Sequence, residues 1–202
     1  MHTLVGGSIG LEGVLRRVGL TASINDLVPF RVDSWQRSIA VEFLEVLGRD
    51  IDFPLDDHSI GRILDLLVDP VPYHVQLFVS ALRDVCRGDA SLVSSETIDR
   101  CFEEQLAGES GTAHLDHYEK RLEFALDERE REIAHSILSL ACSTREGVRL
   151  SDLGRRNRGV VPPFQPVLRD LKADGYLKEE DSRVVFRSNL LRVWWRKHLG
   201  RG

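Results

Sequence analysis

The apolar residues of the last third of the chain change their spacing twice, and no other feature limits the fold as tightly. From Ser151 a short helical pattern runs to about Asn157 and Gly159. Pro163 suits the first turn of a second helix, where its missing N–H is not needed, and that helix reaches Asp174 and stops at Gly175. Next the period becomes two. "YLKEE" and "RVVFRS", separated by Asp181 and Ser182, read as a β-hairpin with Leu177, Val184 and Phe186 facing inward. "NLLRVWWRKHLG" then returns to helical spacing. With a helix capped by Asp127 ahead of them, the order is helix, helix, helix, two-stranded wing, helix. It predicts a winged helix-turn-helix over about 126–202.

Upstream the strong signals are helical. Asp33 and Gln36 have the spacing of a capping box, and Trp35, Ile39, Phe43, Val46 and Leu47 recur at helical intervals, which predicts a helix over 34–48. Asp56 and Asp57 start a second helix, and "DPVP" ends it because proline removes a donor and pushes its predecessor to extended form. A third is expected over 73–86, and a fourth from a cap at Ser94 or Ser95 to near Gly108. After a polar, glycine-bearing loop, "AGESGTAH", a fifth spans 114–125, and the sixth runs from the Asp127 cap to 142. The chain is therefore read as mostly α: a helical bundle over 20–125, then the winged module. Ahead of both, Leu4 and Val5 read as the end of a buried strand, and Gly6, Gly7 and Ser8 as a tight exit into a helix from Ile9 to about Val18. No period of 20 to 50 residues repeats, which argues against a solenoid.

A composition of 42% hydrophobic and 29% charged residues is that of a folded globular chain and not of a disordered one. The longest apolar runs, such as "ILDLLV", fall far short of the roughly 20 residues of a membrane span. No basic region followed by an apolar core opens the chain, so a secretory signal is not expected. Cys86, Cys101 and Cys142, odd in number and widely spaced, fit reduced thiols in a cytoplasm better than a disulfide framework or a zinc site.

Net charge is −5 but unevenly placed: residues 146–202 carry +6 and the remainder −11. An anionic partner for the C-terminal part follows from that asymmetry, and an arginine-rich surface without a ligand is the plainer alternative. In a winged helix the second helix of the pair is the recognition helix, offering Gln165, Arg169 and Lys172 here. Arg155, Arg156 and Arg158 before it, with Arg183 and Arg187 on the wing, are candidates to neutralise the phosphates of double-stranded DNA. Asp170, Asp174, Glu179, Glu180 and Asp181 lie among them and would repel a duplex. Trp194 shares a helical stripe with Leu190, Leu191 and His198, which favours core packing over a base-stacking platform. His114 and His117 stand three apart on a helix, yet nothing else supplies metal-site spacing, so no metal is expected. Glu128, Glu130 and Glu132 with Arg129 and Arg131 read as a charged helix face, not a catalytic pair.

Taken in order, "GGSIGLEGVLRR", "DLVPF", "DPVPYHVQLFVSAL", "HYEKRLEFAL" with "EREIAHSILSLA", and "VLRDLKADGYL" followed by "VVFRSNLLRVWWRK" resemble the C-terminal half of prokaryotic AAA+/STAND-like, archaeal-type P-loop ATPases. The resemblance implies a sensor-1 strand and helix left from an ATPase core over 1–19, a helical lid over 20–125 and a winged helix over 126–202. It places Ser8 near the γ-phosphate of a complete ATPase, where an N-cap for residues 9–18 is the plainer reading. It also makes "VDPVPYHVQ" the lid motif in which a Gly-x-Pro turn approaches nucleotide, with Pro70 there and Pro72 close by; a helix-breaking turn is the alternative. Val68 stands where that family usually has glycine, which puts close backbone approach in doubt.

No G-x-x-x-x-G-K-[ST] string is present, nor a strand ending in paired acids, so the chain alone is expected to be no enzyme and to hold no cofactor. ATP and Mg²⁺ would enter only in a complete ATPase. Three functional readings follow. One is the lid and winged-helix portion of a truncated or split ATPase, acting as a regulatory and interaction module with an ATPase half or another protein. Its alternative is a stand-alone winged-helix DNA-binding regulator. The third is a fragment whose ATPase frame lies upstream. Ile9, Leu11, Val14, Leu15 and Val18 would also offer an apolar surface for self-association.

Overall fold

A computed structural model describes residues 34–156, 158–159 and 163–198. The expected strand and helix at 4–18, Ser8 and Asp33 lie outside the described residues. The described residues are mostly helical with one small sheet, as their apolar spacing implies.

Helix α1 (Arg37–Asp50) begins three residues later than the 34–48 reading, with Gln36 itself in the N-cap position and no side-chain cap bond. Trp35 donates its N–H to the Pro70 carbonyl at 3.0 Å, and this tertiary bond holds the entry extended where a capping box would have wound it. Helix α2 (Asp57–Leu67) is capped as expected: the Asp56 carboxylate accepts the Ser59 N–H at 2.8 Å. Helix α3 (Pro72–Val85) opens on Pro72, so "DPVP" both stops one helix and starts the next.

Between α2 and α3 the backbone makes two successive γ-turns. Asp69 N–H bonds the Leu67 carbonyl and Val71 N–H bonds the Asp69 carbonyl, both at 2.9 Å. The first turn puts Val68 at φ 65, ψ −68. That left-handed setting strains a β-branched side chain by about 1–3 kcal/mol.

Helix α4 (Ser95–Arg100) is capped by Ser94 and does not stay α-helical to Gly108; it widens into a π turn over Cys101–Leu106. Lys197 takes the Glu103 carbonyl at 2.8 Å, and Ala107 N–H reaches back five residues to Phe102 at 2.9 Å. Helices α5 (Thr112–Ala125) and α6 (Glu128–Ala141) follow, the second with a complete capping box between Asp127 and Glu130.

The winged part holds β1 (Val148–Arg149), α7 (Leu150–Arg156), α8 (Phe164–Ala173), β2 (Leu177–Glu180), β3 (Arg183–Phe186) and α9 (Asn189–His198). The expected hairpin is present, with Leu177 opposite Phe186 and Asp181 and Ser182 both at positive φ (48 and 61), as a tight two-residue turn requires. It is not two-stranded: β1 adds to it, giving the antiparallel order β1-β3-β2, with Val148 opposite Val184. Gly147 admits this third strand, since at φ +66 a Cβ there would stand 2.1 Å from the Val184 carbonyl oxygen.

Leu177, Val184 and Phe186 are buried as expected, and Val185 is buried from the opposite face of β3. One apolar cluster runs from Leu44, Phe78 and Phe102 of the helical body through Ile137 to Leu168, Trp194 and Trp195. Both tryptophans are core residues. Cys86, Cys101 and Cys142 are buried free thiols. Among the described residues, no helix is long and apolar enough to cross a membrane.

Glycine adopts the Val68 backbone without strain. Val68→Gly is expected to stabilise the protein by about 1 kcal/mol, read as a higher urea midpoint with an unchanged slope.

Candidate nucleic-acid interface

Helix α8 turns Phe164, Val167, Leu168 and Leu171 into the core, which leaves Gln165, Pro166 and Arg169 exposed on its outer face. Arg155 and Arg156, in the last turn of α7, and Arg158, in the turn that follows, are also exposed. Arg155 is paired with Asp152, and the remaining candidates are engaged as well. Lys172 bonds Glu179 of β2 at 2.7 Å. Arg183 spans the start of the wing, giving Nε to the Glu146 carbonyl at 2.7 Å and Nη2 to the Gly147 carbonyl at 3.0 Å. Arg187 is half-buried where β3 leaves the sheet, its backbone N–H on the Tyr176 carbonyl at 2.9 Å.

The acids of this region are largely matched locally. Asp152 is ion-paired with Arg155, and Arg149 and Arg183 act on it as well. The Arg155 hydrogen bond, opposed by burial and helped by the charges of Arg155, Arg149 and Arg183, holds its carboxyl below the usual carboxylate range. Glu179 is met by Lys172, Glu180 by Lys178 at 2.8 Å, and Asp170 and Asp174 also have partners. Asp181 stays exposed at the wing tip. Sequence reasoning missed Arg149, an exposed residue that pairs with Arg183 in the β1–β3 register. A two-residue strand has too little alternation to announce itself.

The opposite side of the winged part is fastened to the body. Lys178 reaches Asp69 at 2.6 Å, the Asn189 amide donates to the Leu66 carbonyl at 2.6 Å, and the Tyr176 hydroxyl donates to the Tyr118 carbonyl at 2.6 Å. Ser188 accepts the Leu191 N–H at 3.2 Å, capping α9, and its hydroxyl lies 2.9 Å from Nδ1 of the buried His74. Docking thus uses α9 and the inner side of the wing, and it leaves the outer face of α8 to solvent.

Pro70 is buried, with its carbonyl held by Trp35, and Pro72 is the first residue of α3. Ser8 lies outside the described residues. His114 faces Tyr73 at 3.3 Å, and His117 packs on the ring of Tyr118. Among the described residues no group of three or more His, Cys, Asp or Glu could hold a metal ion. No protein-family model, curated protein or solved structure matches the chain.

Burial, with a small contribution from nearby His117, pushes His74 down to about 4 from its ordinary 6.5. The native state therefore keeps His74 neutral while the unfolded chain takes up a proton below 6.5, and stability falls as pH drops from 6.5 toward 4. Urea titrations at pH 7 and pH 5 should show about 2 kcal/mol more loss in the wild type than in His74→Gln.

Proposed function

We propose that the chain is a winged-helix DNA-binding module, with α8 as the helix that enters a groove of the duplex. One observation carries this reading: the outer face of α8 leaves Gln165 and Arg169 exposed, and Arg155, Arg156 and Arg158, just ahead of it in the chain, are exposed too, while its inner face is buried. Gln165 and Arg169 have the chemistry for base edges, since an amide pairs with adenine and a guanidinium with guanine. Arg155, Arg156 and Arg158 have the charge for phosphates, and Arg149 extends that set toward the wing. The pairing of Glu179 and Glu180 with Lys172 and Lys178 supports the same reading, because it lowers the repulsion those acids would exert on a duplex.

A second reading, the lid and winged helix of a split AAA+/STAND-like ATPase, is favoured by the turn at Val68. Its backbone takes the φ of 65 that glycine adopts most readily, at the position where the resemblance expects glycine. ATP hydrolysis by the purified chain would sink that reading.

DNA binding is checked by fluorescence anisotropy of a labelled duplex across a salt series. The expected result is affinity that falls with salt, with Arg155→Ala/Arg156→Ala weakening it about tenfold or more and lowering the salt slope by about 1 to 2. Arg169→Ala should instead reduce discrimination between duplexes. No binding at low salt, or binding indifferent to the double substitution, would refute the module.

A further inference from the structure

A cleft between the body and the wing plays no part in the DNA reading. Val68 and Asp69 line it from the body at the strained γ-turn, Val185 and Phe186 from the wing, Arg145 from the loop after α6 and Arg192 from α9, and the carboxylates of Glu146, Glu180 and Asp181 are also among its lining. Lys178 also lines it but is held by Asp69 at 2.6 Å and Glu180 at 2.8 Å.

The two arginines differ from Lys178 in what they touch. Arg192, half-buried, gives Nε to the Asn189 side-chain oxygen at 3.0 Å and Nη1 to the Cys142 carbonyl at 3.3 Å. Arg145 gives Nη2 to the Asp65 carbonyl at 3.2 Å. These acceptors are neutral oxygens. Arg196 lies one turn further along α9, and burial together with the charges of Arg196 and Arg145 pulls the Arg192 guanidinium below its usual range despite Glu146 nearby. A crowded, half-buried guanidinium bonded to neutral oxygens gains from an anion with two acceptor oxygens. Backbone strain concentrated in the wall of a cleft is also characteristic of ligand sites, and Val68 supplies it independently of the charges.

We propose that this cleft binds a small oxyanion bearing an apolar group. Its phosphate or carboxylate head sits on Arg145 and Arg192, and its apolar part lies against Val68, Val185 and Phe186. Such a ligand bridges body and wing at the place where Lys178 already joins them. The proposal stands apart from the DNA reading and survives its failure.

Isothermal titration of the full chain with phenyl phosphate, benzoate and inorganic phosphate tests it. Phenyl phosphate or benzoate should bind about tenfold more tightly than inorganic phosphate, and the preferred probe identifies the head group. Arg145→Gln, at an exposed site, should weaken that probe about tenfold with an unchanged melting temperature, and Arg192→Lys should do so through loss of the two-pronged donor. The proposal is overturned if no probe binds at millimolar concentration, or if inorganic phosphate binds as well as the others. It also falls if binding survives Arg145→Gln. It falls equally if Arg145→Gln weakens duplex DNA as much as Arg155→Ala while no small anion binds, since the cleft then holds a DNA phosphate.

Discussion

The joining of the winged part to the helical body depends on the burial of two consecutive tryptophans, Trp194 and Trp195, in α9. Neighbouring helical positions point about 100° apart, so both can be buried only if α9 is enclosed on more than one side. The body supplies part of that enclosure. Trp194 donates its indole N–H to Thr112 at 3.4 Å, and Trp195 packs near His135 and Phe186. A buried tryptophan removes roughly 200 Å² from water, on the order of 5 kcal/mol each. Separating the winged part from the body would give up much of that. The winged part is therefore a fixed extension of one core, and its orientation follows: with α9 and the inner wing committed inward, α8 faces out.

The polar bonds at the seam add register to that hydrophobic attachment. Asn189, Ser188 and Lys178 each meet one group on the body, and two of those groups, the Leu66 carbonyl and Asp69, flank the turn at Val68. The Leu66 carbonyl lies in the last turn of α2, where carbonyls lack intrahelical partners. Asn189 thus satisfies a helix end as well as joining two parts. The strain at Val68 belongs to the same seam, for the tight turn that sets φ at 65 also aims Asp69 at the wing.

What could be read in the sequence was whatever is decided locally. Asp56, Ser94 and Asp127 cap helices because their side chains reach N–H groups three residues on, and the Asp181–Ser182 turn with its flanking strands follows from alternation. Trp194 as core followed from helical spacing. What escaped was set by distant partners. Trp35 bonds Pro70 just ahead of the late start of α1, Lys197 meets the Glu103 carbonyl inside the π turn that follows α4, and β1 pairs with β3, a partner far along the chain. The candidate interface divides the same way. Arg155, Arg156, Arg158, Gln165 and Arg169 were legible as exposed because they oppose the apolar face or lie in a turn. The engagement of Lys172 and Arg183, and the place of Arg149, depend on pairings that no local pattern records.

Charge counted along a chain therefore differs from charge offered to a partner. Residues 146–202 carry a formal +6, but that segment also holds the cations that join its own elements. Lys172 and Arg183 brace the sheet, Lys178 and Lys197 bind the body, and Arg192 ties α9 to the end of α6. The acids are spent in step with them, so the net value survives while its distribution changes. Positive charge thins along the seam and is left on α7, the turn after it and the outer face of α8. A surface built in this way owes its polarity to which ion pairs folding has closed: Arg155 is matched by Asp152, while Arg156, Arg158 and Arg169 stay exposed.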